Sequence, residues 1–131
     1  MLVKFDVFGI PRGKQRPRVC NVNGRTFSYT PKQTKDYETL IKSSCLAVSQ
    51  KYWDKNLPLK MDILAFFPIP KKLNKLLPMT PPDVDNVAKT VCDALNNTAY
   101  AADEQICKLM IQKYYAKTPK ITVILSDWRQ E

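Results

Sequence analysis

Between Pro82 and Ile106 the sequence gathers carboxylates and a lysine, the residue types that could hold a hard divalent cation: Asp83 and Asp85, then Lys89 and Asp93, then Asp103 and Glu104. Oxygen ligands alone suit a hard cation such as Mg²⁺, which takes one or two carboxylates and keeps several waters. Apolar residues at Val84, Val87, Ala88, Val91 and Leu95 recur at helical spacing and predict an amphipathic helix with one buried stripe. Asp85, Lys89 and Asp93 then form a polar stripe beside it, because residues four apart lie one turn above another. Pro82 and Asp83 suit the helix start, where a fixed φ and a side-chain acceptor are both useful. Asn96-Asn97 suits its end, since asparagine tolerates the left-handed conformation. The short connection that follows is expected to bring Asp103 back towards the same end. Each part also has a plainer explanation. Asp83 alone reads first as a helix cap, Asp85–Lys89 as an i,i+4 pair contributing about 0.2–0.5 kcal/mol, and Asp103-Glu104 as an exposed turn. The combination, in a chain with surplus positive charge, is what points to a cation site.

The elements that must position these groups fit one domain, residues 1–131, long enough for a real core. Hydrophobic content of 44% and charged content of 25% are those of an ordinary folded protein. Lysine and arginine number 21 against 12 acids, a formal charge of +9, so a polyanion is the leading partner class. No stretch reaches the roughly 18 consecutive apolar residues of a membrane span. The N-terminal Met1-Leu2-Val3-Lys4-Phe5 lacks the layout of a signal peptide, which leads to the expectation of a cytoplasmic protein. With 0 histidines, a His general base and Ser-His or Cys-His nucleophile pairs are excluded. Cys20, Cys45, Cys92 and Cys107 form no Cys-x-x-Cys pair, so a zinc finger is excluded too, and Cys45 and Cys92 read as buried free thiols. Any chemistry must use carboxylate, lysine, metal-bound water or a less usual base.

In chain order, Leu2 to Phe8 alternates as a strand with Val3, Phe5 and Val7 on one face. A basic segment follows, with Arg12, Lys14, Arg16 and Arg18, and leads into a hairpin from Val19 to Tyr29 turned at Asn23-Gly24. This is either a loop and hairpin presenting cations to phosphates or a solvated basic loop. Tyr37, Leu40, Ile41, Cys45, Val48 and Tyr52 predict a long amphipathic helix from about Pro31 to Tyr52, with that stripe in the core. Leu59 to Phe67 is apolar on much of both faces and reads as a central strand. A proline-rich loop carrying Lys71, Lys72 and Lys75 runs from Pro68 to Pro82. After the acidic helix, Ile106 to Tyr115 and Ile121 to Leu125 read as strands joined by a turn at Thr118-Pro119. Trp128 packs the tail down, and the chain from Arg129 onward is expected to fray. The fold class is α+β: a mixed sheet of about four to five strands with two main helices packed on one face.

Taken together, Pro82-Asp83-Val84-Asp85-Asn86 with Lys89, Asp93-Ala94-Leu95-Asn96 and Asp103-x-Gln105-Ile106 resemble the RusA family of Holliday junction resolvases. Gly9-x-Pro11, Lys14-x-Arg16-Pro17-Arg18, Thr30-Pro31 and Tyr37-Glu38 extend the resemblance over most of the chain. It implies a RusA-like fold and a homodimeric, Mg²⁺-dependent endodeoxyribonuclease that cuts four-way branched DNA by paired, symmetric nicks in recombination and repair. The family's acids carry over to Asp83, Asp85 and Asp103 as metal ligands, and its essential lysine to Lys89. Two departures stand out. Ala102 occupies the first of the family's paired aspartate positions, leaving Asp103 as third ligand with Glu104 as substitute, and Asn97 replaces a glycine.

On that reading the acids hold one or two Mg²⁺ against the scissile phosphate, where the metal acidifies water and neutralises developing charge. Lys89 donates to a phosphate oxygen or orients the attacking water, and Asp93 has a structural role with basic groups nearby. Arg12, Lys14, Arg16, Arg18, Lys71, Lys72 and Lys75 are candidate phosphate contacts. A two-fold dimer supplies two cuts by symmetry. The rival readings are a non-catalytic branched-DNA-binding module and a less selective flap or branched-DNA nuclease.

Overall fold

The computed structural model describes residues 2–73 and 75–129. Six strands and two α-helices follow one another as β1 (Leu2–Phe8), β2 (Arg18–Val22), β3 (Arg25–Tyr29), α1 (Lys32–Val48), β4 (Leu59–Pro68), α2 (Val84–Leu95), β5 (Ile106–Ala116) and β6 (Lys120–Asp127). A short 3₁₀ helix, Asp103–Gln105, precedes β5.

Four of the strands form one sheet in the order β1-β6-β4-β5, and β2 and β3 form a separate ribbon. β4 is central, as its two apolar faces require: it runs antiparallel to β6 on one side and parallel to β5 on the other. The consecutive strands β5 and β6 are therefore not neighbours. Their short connection, 117–119, passes the end of β4, and the N–H of Gly9 bonds the carbonyl of Pro119 at 3.0 Å to tie the two loops there.

Alternation decides which face is covered. Val3, Phe5 and Val7 of β1, Met61, Ile63 and Ala65 of β4, and Ile121, Val123 and Leu125 of β6 are all buried on one face. Against them lie α1 through Tyr37, Ile41 and Cys45, and α2 through Val87, Val91, Ala94 and Leu95. Each large aliphatic side chain so buried contributes roughly 1.5–3 kcal/mol, which makes this layer the source of the domain's stability. The α+β expectation, with both helices on one face of a mixed sheet, holds.

The first helix departs from expectation. It ends at Val48, and Leu40, Val48 and Tyr52 are exposed, so the buried stripe is narrower than the apolar spacing implied. The extended backbone of Ser49, φ −153°, stops the helix before Tyr52 can join the stripe. The chain beyond it is held by Trp53, whose backbone N–H bonds Ala99 O at 2.9 Å and whose indole N–H donates to Asp127. The tail is tied down by the backbone N–H of Trp128 on Pro58 O at 3.1 Å. Of the tail expected to fray, residues 130–131 lie outside the described residues.

Candidate nuclease site

Helix α2 begins where the sequence placed it. Asp83 is the N-cap residue in extended conformation, and the N–H groups of Asn86 and Val87 bond its carbonyl at 3.1 Å. Its side chain makes no capping bond. The carboxylate is thus not explained by helix capping and is exposed to solvent. Asp85, in the first turn, and Lys89, one turn on, are exposed as well. Among the described residues neither Asp85 nor Lys89 enters an ion pair, so the plain i,i+4 explanation does not account for them. The helix ends at Leu95 and Asn97 turns left-handed, φ 62°, as its residue type suggested.

Asp83, Asp85, Asn86 and Lys89 line one wall of an open concavity whose other wall is Lys14, Gln15, Arg16 and Pro17. The basic N-terminal segment is therefore held against the acidic helix. Three contacts fix it there. The Lys14 backbone N–H donates to Asn86 Oδ1 at 3.1 Å, Lys14 Nζ donates to Asp93 Oδ2 at 2.6 Å, and the Gln15 N–H donates to Thr34 Oγ1 at 3.1 Å. The segment is pinned to α2 at two points and to α1 at a third. Gly13 is required by this closeness: a Cβ there would stand 2.4 Å from Asn86 Nδ2 and 2.9 Å from Asn86 Cγ.

The Asp93 carboxylate raises the pKa of Lys14 above its ordinary value through their hydrogen bond, against the opposing effect of burial. Asp93 thus has the structural role expected of it, bonding a basic group beside the site. Lys14, expected as a phosphate contact, spends its charge first on that carboxylate. Arg12, Arg16 and Arg18 are exposed, as are Lys71, Lys72 and Lys75 in the proline-rich loop. The end of that loop is anchored by Lys113 of β5, whose ammonium donates to Thr80 O at 2.6 Å and Pro82 O at 2.9 Å.

Asp103 is not on that wall. Its backbone N–H bonds Asn96 Oδ1 at 2.8 Å, which places it at the C-terminal end of α2. At 1.5 Å per residue the two ends of this helix are roughly 20 Å apart. The expectation that the connection returns Asp103 to the Asp83 end is corrected by this bond. Among the described residues no three acidic or thiol side chains are gathered as a metal-ion cluster. The negative charges of Asp103 and Asp93 instead act on Cys92, whose thiol is pushed up to about 12 mainly by burial.

Sequence reasoning missed Gln105 as a structural residue. It is buried, its Nε2 donates to Asp54 O at 2.7 Å and Leu57 O at 3.1 Å, and its Oε1 accepts from the Ala102 N–H at 2.9 Å. Its place in the Asp103-x-Gln105 motif is explained by pinning the 3₁₀ turn to the 54–57 loop. Asn86 and Gly13 were missed as a contact pair, and only their positions beside Asp85 and Lys14 could have signalled them.

Comparison with known proteins agrees with the motif reading. A relative in Bacillus subtilis (strain 168), described as uncharacterized protein YqaN, is 31% identical over 139 residues, covering 95% of this chain and 96% of its own. A protein of Lactococcus phage r1t named crossover junction endodeoxyribonuclease rusA is 25% identical over 127 residues, covering 95% of each. The profile of the family described as endodeoxyribonuclease RusA matches residues 9–126, the whole span from the basic segment to β6, and the chain belongs to that family.

Proposed function

We propose that this protein is a Mg²⁺-dependent, structure-selective endonuclease that resolves Holliday junctions as a homodimer, by paired symmetric nicks, in cytoplasmic DNA recombination and repair. The observation that carries this reading is the pair Asp83 and Asp85: neither is ion-paired among the described residues, Asp83 caps nothing, and both face a concavity shared with Lys89 and Arg16. Family membership supplies the substrate class.

Two exposed carboxylates at an open concavity fit a Mg²⁺-type ion, which needs few protein ligands and keeps its waters. Asp83 and Asp85 would hold it. When bound, such an ion supplies Lewis acidity towards phosphate and water. The remaining steps fall to the chain's own groups. Arg16 and Lys89 donate to non-bridging phosphate oxygens with charge-assisted bonds, and the N-terminus of α2 adds partial positive charge at the same place. Exposed cations along 12–18 and 71–75 take the flanking backbone. Two copies related by a two-fold axis present two such sites to strands of like polarity.

Asp103, at the far end of α2, divides the proposal. An Asp103→Asn variant that cuts normally removes it from the reaction, whereas loss of cutting with intact folding places it in the reaction as a third acid. The reading as a whole is tested by incubating four-way, three-way and flap DNA with Mg²⁺ and mapping the incisions. Mirrored cuts on the four-way junction, abolished in Asp85→Asn while junction binding persists, are the expected result. Binding without nicking by the unaltered protein would make it a binding module, and equal cutting of all three substrates a less selective nuclease.

A further inference from the structure

The β2–β3 ribbon is the part of the molecule that the site does not explain. None of its ten residues is fully buried, and it belongs to neither the main sheet nor the core. A two-stranded hairpin alone is marginal in water, and apolar side chains on it gain nothing from a core. Yet Phe27 is 48% exposed and Tyr29 42% exposed. The turn that makes the ribbon is well specified, with Asn23 at φ 52° and Gly24 at φ 77°, both in the left-handed region that tight hairpins need.

Register sorts its side chains. Arg18 faces Tyr29, Cys20 faces Phe27 and Val22 faces Arg25 across the strands. Alternation puts these six on one face, and Val19, Asn21, Thr26 and Ser28 on the other. One face is therefore aromatic with an arginine at each end, and the other is mostly small and polar. No acidic residue occurs between Asp6 and Asp36, a stretch holding seven lysines and arginines. Phe27 and Tyr29 are two residues apart in a strand, about 7 Å along it, roughly twice the 3.4 Å step between successive nucleotides of one strand. That spacing leaves room for one base between the rings.

We infer that the Arg18–Phe27–Tyr29–Arg25 face of the ribbon is a stacking platform for unpaired nucleotides, the rings taking bases and the arginines the adjoining phosphates. The inference rests on the nucleic-acid reading above and extends it: the ribbon would engage the bases exposed at a branch point while α2 engages the backbone to be cut. Stacking on aromatic rings is sequence-tolerant, since every base has a π-face, and suits an enzyme selective for structure.

The test uses the full chain in EDTA, so that binding is read without cutting. Its probes are a four-way junction carrying 2-aminopurine at the branch point, a single-stranded oligonucleotide carrying the same base, and an unbroken duplex. Phe27→Ala with Tyr29→Ala is expected to weaken single-strand and junction binding about ten-fold or more and to abolish the 2-aminopurine fluorescence change. Duplex affinity and the salt slope should stay unchanged. Arg25→Gln should instead lower the salt slope by about one on the single-strand and junction probes and leave that of the duplex unchanged. Thermal unfolding of the double variant should match the unaltered chain, because the ribbon lies outside the core. Unchanged single-strand binding, or equal losses on all three probes, would overturn the inference. So would a change in sedimentation without DNA, which would mean the rings pack on a second copy. A chain that cuts junctions whose binding ignores the double substitution sinks the ribbon alone, and one that never cuts but loses single-strand binding sinks the enzyme alone.

Discussion

The Lys14–Asp93 pair is the joint between the basic segment and the acidic helix, and a double-mutant cycle should find it strongly coupled. Its Nζ–Oδ2 distance is 2.6 Å and its two side chains are 24% and 23% exposed, so it is neither a solvated surface pair nor a fully buried one. Exposed pairs are worth about 0.2–1 kcal/mol, while a hydrogen bond to a charged group contributes about 1.5–3 kcal/mol. With about three-quarters of each side chain out of water, a coupling of roughly 1–2 kcal/mol is expected. Lys14→Met, Asp93→Asn and the double variant, unfolded in urea, would measure it. Salt at 0.5 M should reduce it only in part, since screening acts mainly on solvent-exposed charges. The pH dependence has a definite sign. The Asp93 carboxylate holds the folded pKa of Lys14 above the ordinary lysine value, so the stabilisation is fully present below that ordinary value and is lost as pH rises through the folded one. A coupling below about 0.3 kcal/mol, within the usual additivity of independent sites, would show that the segment is held by its backbone bonds and not by this charge pair.

Three further outcomes follow from the same geometry. Gly13→Ala should cost about 1–3 kcal/mol by overpacking, and adding Asn86→Ala should recover much of it in the same urea titration, because Asn86 holds the two nearest atoms. Gln105→Leu leaves the Leu57 carbonyl and the Ala102 N–H without their partner, while the Asp54 carbonyl keeps only the Leu57 N–H, and should destabilise the domain by about 2–4 kcal/mol, read as a fall in melting temperature. In native protein at pH 8, a thiol reagent should modify the exposed Cys107 quickly, Cys92, which is only half-buried and not enclosed as its sequence suggested, far more slowly, and the buried Cys45 only once denaturant is added; burial raises the last two thiols, Cys92 to about 12.

Local pattern carried much of the architecture. Alternation in Val3, Phe5 and Val7 marked the buried face of β1, and Asn23-Gly24 marked the ribbon's turn, because both signals lie within a few consecutive residues. The double-sided apolar run of β4 was enough to make it central. What escaped depends on pairs distant in sequence. Nothing local says that β6 lies across β4 from β5, or that Gly13 must clear Asn86, 73 positions on. The end of α1 escaped for a related reason: Val48 and Tyr52 continue the helical period, but the chain there turns so that Trp53 can be buried. At the candidate site the residue types were legible, and Asp83, Asp85 and Lys89 do share a wall. The return path of Asp103 was not, since Asn96 holds it through a side-chain bond that the sequence does not announce.

The charge balance around α2 gives the acidic wall its meaning. In a chain with 21 cationic residues, a surface carboxylate has many possible partners, and Asp93 has taken Lys14. Asp83 stands at the start of the same helix and Asp85 in its first turn, lining one concavity with Arg16 and Lys89, and neither is paired with them among the described residues. Leaving two acids unpaired beside two cations adds little to stability, since surface pairs are weak in either case. It does leave both signs open to a third party. A phosphodiester approaching the concavity satisfies Arg16 and Lys89, and a divalent ion satisfies Asp83 and Asp85. The two acids and two cations already balance, so either occupant alone leaves a net charge that the other offsets, and each should tighten the other's binding. Mg²⁺ affinity measured by calorimetry on the unaltered chain, with and without a non-cleavable junction analogue, should therefore rise several-fold when DNA is present. Equal affinity in both titrations would mean that acids and cations serve separate ligands, and the wall would lose its role as a single site.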